Sequence, residues 1–330
     1  MRTYNIMVVG ATGLVGRTLL KVLEERKFPV GKLMLLASEK SHGQHITFGG
    51  RSYAVETLSE TAFQEDMDMA FFTAGGAISE KYVPLAAEKG IVAVDNSSIF
   101  RMDPKVPLMV PEVNPEDLEE GSRIIANPNC STIQCMLPLK VLEENYGIKR
   151  IVYSTYQSVS GSGTRGLKDL DEDRQDFYPH RIKENLLPQI DVFLKDGYTK
   201  EEKKLMEESR KILHGKDLKI TATAVRVPVR YGHGVSVNVE LMEVFDLTDV
   251  KRKLSAFPGM TVIESKEAGD YPTPIEAEGT DTVYVGRVRR DPSLLSGLNL
   301  WVVADNLRKG AATNAVQIAE LVVKKWEEER

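Results

Sequence analysis

Only two cysteines, Cys130 and Cys135, occur in 330 residues. That excludes a disulfide framework as the source of stability and points to a reducing compartment, the cytoplasm. Neither sign of charge is in excess: 43 Lys and Arg stand against 48 Asp and Glu, a net charge of −5 with His neutral. The balance argues against a nucleic-acid partner, which would ask for a basic stripe. No uninterrupted apolar run reaches bilayer length, so no membrane partner is expected. The opening MRTYNIMVVG enters a strand-like run without the apolar region and cleavage site of a secretory signal. There is no internal repeat, no low-complexity tract and no His/Cys cluster at ligand spacing, so no metal is expected. What is present is an ordinary globular composition, 42% hydrophobic and 28% charged, with length for about two domains.

The first hundred residues alternate apolar strand-like runs with helical stretches, the pattern of a parallel α/β sheet. Strands are predicted over Tyr4–Val9, Leu33–Ala37, Met69–Thr73 and Ile91–Asp95, with a helix over Leu14–Glu25. The carboxyl ends of such strands are where ligands sit. Beyond about residue 150 the texture changes. A strand is predicted over Ile151–Gln157 and a charged helix over 200–213. Two alternating runs, Ile220–Val229 and Val235–Val244, flank a Tyr-Gly-His-Gly turn and suggest an antiparallel hairpin. Strands Val283–Val288 and Leu298–Asp305 follow, then an amphipathic helix over Ala311–Arg330 that would return to the first domain. The fold class is therefore α/β. A Rossmann-type doubly wound domain, 1–128 with 312–330, would carry an α+β catalytic domain, 129–311, whose sheet is mixed and largely antiparallel.

Gly10-Ala-Thr12-Gly13-Leu14-Val15-Gly16 lies between the first strand and the first helix. Glycines there allow a tight turn, and the helix start offers N–H groups to a pyrophosphate. The second strand ends at Ser38, with Lys40 and Ser41 close behind. Against Glu39, this suits a ribose 2′-phosphate better than a free 2′-hydroxyl and favours NADP over NAD.

Asn-Pro-Asn129-Cys130-Ser-Thr places Cys130 just before the apolar run Ile133–Leu142. With capping-type residues on both sides, Cys130 falls at a helix N-terminus, where the macrodipole favours the thiolate. Cys135, five residues on, reads as a buried structural thiol. Among five histidines, His233 sits in the turn between two strong strands and is the best candidate base, the alternative being a solvated turn residue. Arg226 lies on an apolar strand face with Ile220, Ala222 and Ala224, so it either clamps a carboxylate or sits in a buried ion pair. Arg101 closes the fourth strand region as an anion contact or a surface salt bridge. Glu201 and Lys204, three apart, share a helix face that on charge alone reads as solvated.

In order, GATGLVG at 10–16, VDNSSIFRMD at 94–103, PEVN at 111–114, NPNCSTIQ at 127–134 and TYQSVSGSG at 155–163 resemble the aspartate-β-semialdehyde dehydrogenase family. EEKK at 201–204, RVPVRYGHG at 226–234, VGRVRRD at 285–291 and DNLRKGAATNAVQIAE at 305–320 extend the likeness over nearly the whole chain. The resemblance implies that Cys130 attacks the aldehyde, His233 serves as acid/base, hydride passes to NADP and phosphate releases aspartyl phosphate. In the cell the family runs the reaction in reverse, toward lysine, methionine and threonine. It further implies that Gln157 orients the acyl group and that Asn129 sits beside the thioester. Arg226 and Glu201 would hold the substrate's carboxylate and amine, and Lys204 and Arg101 the phosphate. Thr12 to Val15, Lys40, Ser41, Ser160, Gly161 and Asn306 fall at cofactor positions, and a homodimer is implied. The chain departs from the family pattern at Gly-Val-Ser after His233 and at Glu208-Ser-Arg. Two alternatives remain: an N-acetylglutamyl-phosphate reductase, whose cysteine follows Pro-Gly, and a catalytically silent relative acting as a binding protein.

Overall fold

The computed structural model describes residues 2–64 and 66–328. In chain order its elements begin with β1 (Tyr4–Val9), α1 (Leu14–Glu25), β2 (Val30–Ala37), β3 (His45–Phe48), β4 (Arg51–Thr57) and β5 (Met69–Phe72). Next come α2 (Gly76–Glu88), β6 (Val92–Asp95), β7 (Ile124–Ala126), α3 (Cys130–Tyr146), β8 (Ile148–Gln157), α4 (Gly163–Asp171) and α5 (Lys200–Ile212). The chain closes with β9 (Lys219–Arg226), β10 (His233–Leu241), α6 (Leu247–Ala256), β11 (Met260–Ile263), α7 (Pro274–Ala277), β12 (Val283–Asp291), β13 (Gly297–Ala304) and α8 (Thr313–Glu328). Glu329 and Arg330, the end of the last expected helix, lie outside the described residues. Two compact units result, one of Met1–Pro128 with Ala311–Arg330 and one of Asn129–Gly310.

The first unit is a seven-stranded sheet in the order β3-β4-β2-β1-β5-β6-β7, parallel except for the β3–β4 pair. Its central strands are apolar on both faces, as a sheet covered by helices on each side requires. Ile6 and Val8 of β1 join a core with Leu19 and Leu23 of α1 and Val316 and Ala319 of α8. Met7 and Val9, pointing the other way, pack with Val83 and Ala86 of α2. Alternation along one strand thus serves two cores.

The second unit is a six-stranded mixed sheet, β11-β12-β13-β10-β8-β9. Helix α3 packs across β8, β10 and β13, and α5 lies against β9 and α3. The expected hairpin of the 220–244 region does not form. β9 pairs with β8 in parallel, β10 pairs with β8 and β13 antiparallel, and β8 therefore lies between the two. The Val227–Gly232 connection passes over the end of β8 instead of turning tightly. It is held there by Val159 N–H to the Val229 carbonyl and Ser160 N–H to the Arg230 carbonyl. Alternation told that both runs were strands; it carried nothing about which neighbour each would choose. Among the described residues no helix is long and apolar enough to cross a membrane.

Candidate active site

Helix α3 starts at Cys130 because Asn129 caps it. The Asn129 side-chain oxygen accepts the Ser131 N–H at 2.9 Å, as an N-cap does. Asn129's own N–H donates to Glu208 Oε2 at 2.7 Å. Cys130 is partly exposed, whereas Cys135 is fully buried and burial pushes its thiol pKa far up. The two thiols differ as the sequence suggested: one sits at a helix N-terminus, the other is packing.

Around this helix start the second unit gathers a polar cluster. Asn129 Nδ2 donates to Glu201 Oε1 at 2.8 Å, and Gln157 Nε2 donates to the same oxygen at 3.0 Å. Gln157 Oε1 in turn accepts from Thr155 Oγ1. Lys204 Nζ reaches Glu201 Oε2 at 3.1 Å and Asp191 Oδ2 at 3.0 Å. Glu201 is 5% exposed. Burial alone would raise its pKa, but Lys204 and the hydrogen bonds from Gln157 and Asn129 outweigh burial and hold it at about 2. The face that charge alone would leave in water is thus largely covered: Glu201, Leu205 and Glu208 of α5 are buried and Lys204 is half-buried.

Arg226 is 5% exposed on the face of β9 expected for it. Its Nη1 donates to the Ser158 carbonyl at 2.7 Å, and its Nε is buried without a partner among the described residues. An unmatched buried donor of this kind is what a carboxylate ligand would satisfy. A Cβ on Gly161 would lie 2.9 Å from that Nη1 and 3.6 Å from His233 Nε2, so a larger residue there would press on the guanidinium. His233 begins β10 and has no exposure, so it is no solvated turn residue. Ser158 N–H reaches its Nδ1 at 3.0 Å, while its Nε2 has no partner among the described residues. Burial and then Arg226 depress its pKa from 6.5 to about 3.

Asn306 acts as a hub in the same unit. Its Oδ1 accepts from Ser158 Oγ, Ser160 Oγ and the Gly232 N–H, and its Nδ2 donates to Ser160 Oγ. Three residues of this frame went unread in the sequence. Gln134, one turn beyond Cys130, donates to the His233 and Val302 carbonyls. Glu208 receives the Asn129 N–H and Ser158 holds the imidazole. Only Glu208 left a signal, since seven residues after Glu201 it must share that helix face.

In the first unit, a cleft of about 490 Å³ is lined by Gly10, Thr12, Gly13, Ser38 and Glu39, with Thr73 and Tyr82 opposite. Gly10 has φ of +91°, and a Cβ on Gly16 would stand 2.3 Å from the Gly10 carbonyl oxygen, so both positions require glycine. Gly13 caps α1 without a side-chain hydrogen bond, leaving first-turn N–H groups to a ligand. These features fit a dinucleotide. Leu14 and Val15 open the helix, and Thr12 Oγ1 lies 3.2 Å from Ser41 Oγ. Lys40 is exposed on the turn after β2. Arg101, in this unit, is 6% exposed rather than a surface residue, with Nε on the Asn127 carbonyl and Nη2 on the Asn96 carbonyl.

Comparison with known proteins agrees with both units. Residues 5–121 match the semialdehyde dehydrogenase NAD-binding domain, and residues 139–309 match the semialdehyde dehydrogenase dimerisation domain. An aspartate-semialdehyde dehydrogenase of Aquifex aeolicus is 51% identical over 97% of this chain and 98% of its own length. That of Shewanella violacea is 47% identical over 98% of each. The crystal structure of aspartate semialdehyde dehydrogenase II from Vibrio cholerae complexed with ASA superposes with a TM-score of 0.94. It shares 45% identity and covers 98% of this chain and 99% of its own. On its sequence, its two domains and its fold, this chain belongs to the aspartate-semialdehyde dehydrogenase family of oxidoreductases.

Proposed function

We propose that this protein interconverts L-aspartate 4-semialdehyde and L-aspartyl 4-phosphate with NADP, through a thioester on Cys130. The carrying observation is the convergence, at the N-terminus of α3, of Cys130 with the Asn129 and Gln157 amides held on buried Glu201. A thiolate there is favoured by the helix end and is soft enough to trap an acyl group. Cys130 Sγ attacks the aldehyde carbon to give a hemithioacetal, and loss of hydride from that carbon leaves the thioester. A phosphate oxygen then attacks the acyl carbon and expels the thiolate. NADP supplies the hydride acceptor, held by the glycine loop at 10–16 with Ser38, Lys40 and Ser41, and by Ser160, Gly161 and Asn306.

Glu201 and Arg226 suit the substrate's ammonium and carboxylate: one buried anion, and one buried guanidinium with an unmatched Nε. Lys204 and Arg101 supply positive charge for the phosphate dianion. His233 Nε2 serves the oxygen of the reacting carbonyl. The rival substrate, N-acetylglutamyl phosphate, has no ammonium group for the Glu201 carboxylate to meet. The dimerisation-domain match supports a homodimer. The biosynthetic chemistry supports a cytoplasmic role on the route to lysine, methionine and threonine.

The test follows NADPH absorbance with aspartate semialdehyde, phosphate and either NADP or NAD, for the wild type and Cys130→Ala. Phosphate-dependent NADPH formation that disappears in the variant is expected. A wild type that reduces neither cofactor, or a variant that keeps its rate, overturns the proposal.

A further inference from the structure

Lys204 is held from two sides. Its Nζ lies 3.1 Å from Glu201 Oε2, one turn away on α5, and 3.0 Å from Asp191 Oδ2 in the segment before that helix. Two carboxylates on one ammonium leave the trio with a net charge of −1. Such a group is a poor receptor for a phosphate dianion unless one carboxylate gives way. We propose that Asp191 is the one that yields: it occupies the Lys204 ammonium while phosphate is absent, releases it when phosphate arrives, and so sets the phosphate affinity of the site. The proposal rests on the assignment of Lys204 to phosphate made above and deepens it. Asp191 acts through Lys204 and is a positioning residue.

Three observations single out Asp191. The side chain of Glu201 is 7% exposed and that of Asp191 33%. A carboxylate already one-third in water regains its solvent at little cost, whereas a buried one does not. Glu201 is also tied elsewhere: its Oε1 takes the Asn129 and Gln157 amides, and leaving would strand two buried donors. Asp191 has, on its other oxygen, the exposed Val192 N–H at 2.9 Å, which water serves as well. Finally, the segment does not depend on the ion pair. Leu187 and Arg226 exchange both main-chain hydrogen bonds, at 3.0 and 2.8 Å, and Lys200 N–H donates to the Val192 carbonyl at 2.9 Å. These bonds hold the chain on either side of Asp191 whether or not its carboxylate is paired. The left-handed φ of +68° at Asp191 is one that aspartate and asparagine both tolerate.

The experiment compares the wild type with Asp191→Asn, which keeps the volume and the Val192 contact and removes the charge. The KM for phosphate, with aspartate semialdehyde and NADP saturating, should fall about fivefold, the worth of one half-exposed ion pair. The KM for aspartate semialdehyde and kcat should stay within about twofold. A phosphate KM that is unchanged or raised overturns the proposal, whatever happens to kcat or to thermal stability. Inorganic phosphate binding is read separately, without turnover, by phosphorus-31 NMR titration of both proteins. The variant should bind phosphate more tightly by a similar factor, and the gain should vanish in the double variant Asp191→Asn with Lys204→Gln. A gain that survives the loss of Lys204, or no gain at all, refutes the role. Because the titration needs no catalysis, a protein without the proposed dehydrogenase activity would fail the turnover assay alone, in wild type and variant alike.

Discussion

Glu201 binds the two amides proposed to handle the acyl group and the lysine proposed to handle phosphate. Its carboxylate is therefore the clamp that sets Asn129 and Gln157, in addition to the proposed seat for the amine. Glu201→Gln keeps the volume but removes the charge that an ammonium group would meet. The KM for aspartate semialdehyde should rise about tenfold or more, the worth of a hydrogen bond to a charged group, with a smaller change in kcat. A fall in kcat at constant KM would instead make Glu201 a positioning residue only. Gln134 is the opposite kind of residue, touching no reacting atom but holding the His233 carbonyl from the helix that carries Cys130. Gln134→Met should lower kcat several-fold at unchanged KM, whereas Gln134→Glu, neutral when buried, keeps one donor and should recover part of the loss.

At the scale of elements, the start of α3 depends on two side chains, one local and one distant. Asn129 was legible as a cap because its type and its place before an apolar run state the mechanism. Glu208, which takes the Asn129 N–H from two turns beyond Glu201, was legible only as a residue on the Glu201 face, since that spacing does not name the buried N–H it accepts. Glu208→Ala should destabilise the protein by about 1–3 kcal/mol in urea unfolding, the cost of stranding a buried N–H, and Glu208→Gln by less. The same division runs through the fold. β1 and α1 were readable to the residue, because a strand that serves two cores and a glycine turn with one permissible shape leave few options. The pairing of β9 and β10 was not readable, because β8 enters between them by long-range hydrogen bonds that no local spacing encodes. At the site, the residue types and their motifs were legible, whereas their burial and mutual hydrogen bonds required the sheet that assembles them.

For the molecule as a whole, acid should be the weak side. His233 has its pKa lowered from 6.5 to about 3 and Glu201 from 4.5 to about 2. In both cases the unfolded chain binds a proton that the native one refuses. Their contribution is complete above about pH 6.5 and is lost progressively as pH falls toward 2, so urea midpoints should drop steadily from pH 7 to pH 4. A flat profile would show that neither group stays in its native charge state. The last helix makes a sharper demand. Ala315, Val316, Ile318, Ala319 and Val322 of α8 belong to the same core as Leu19, Leu23 and Ile6. Asn314 ties the helix start to the Met109 carbonyl and to Asn127, and Glu320 takes a two-pronged bond from Arg26. The first unit is therefore discontinuous in sequence and cannot close its core until the chain's end has been made. Ile318→Ala should cost about 2–5 kcal/mol, as a buried aliphatic truncation does. Removing residues 311–330 should abolish both the slow hydrogen exchange of β1 and β2 amides and NADPH binding followed by fluorescence. If the truncated chain kept protected amides in those strands, the core would be complete without α8 and the assignment of that helix to the first unit would fall.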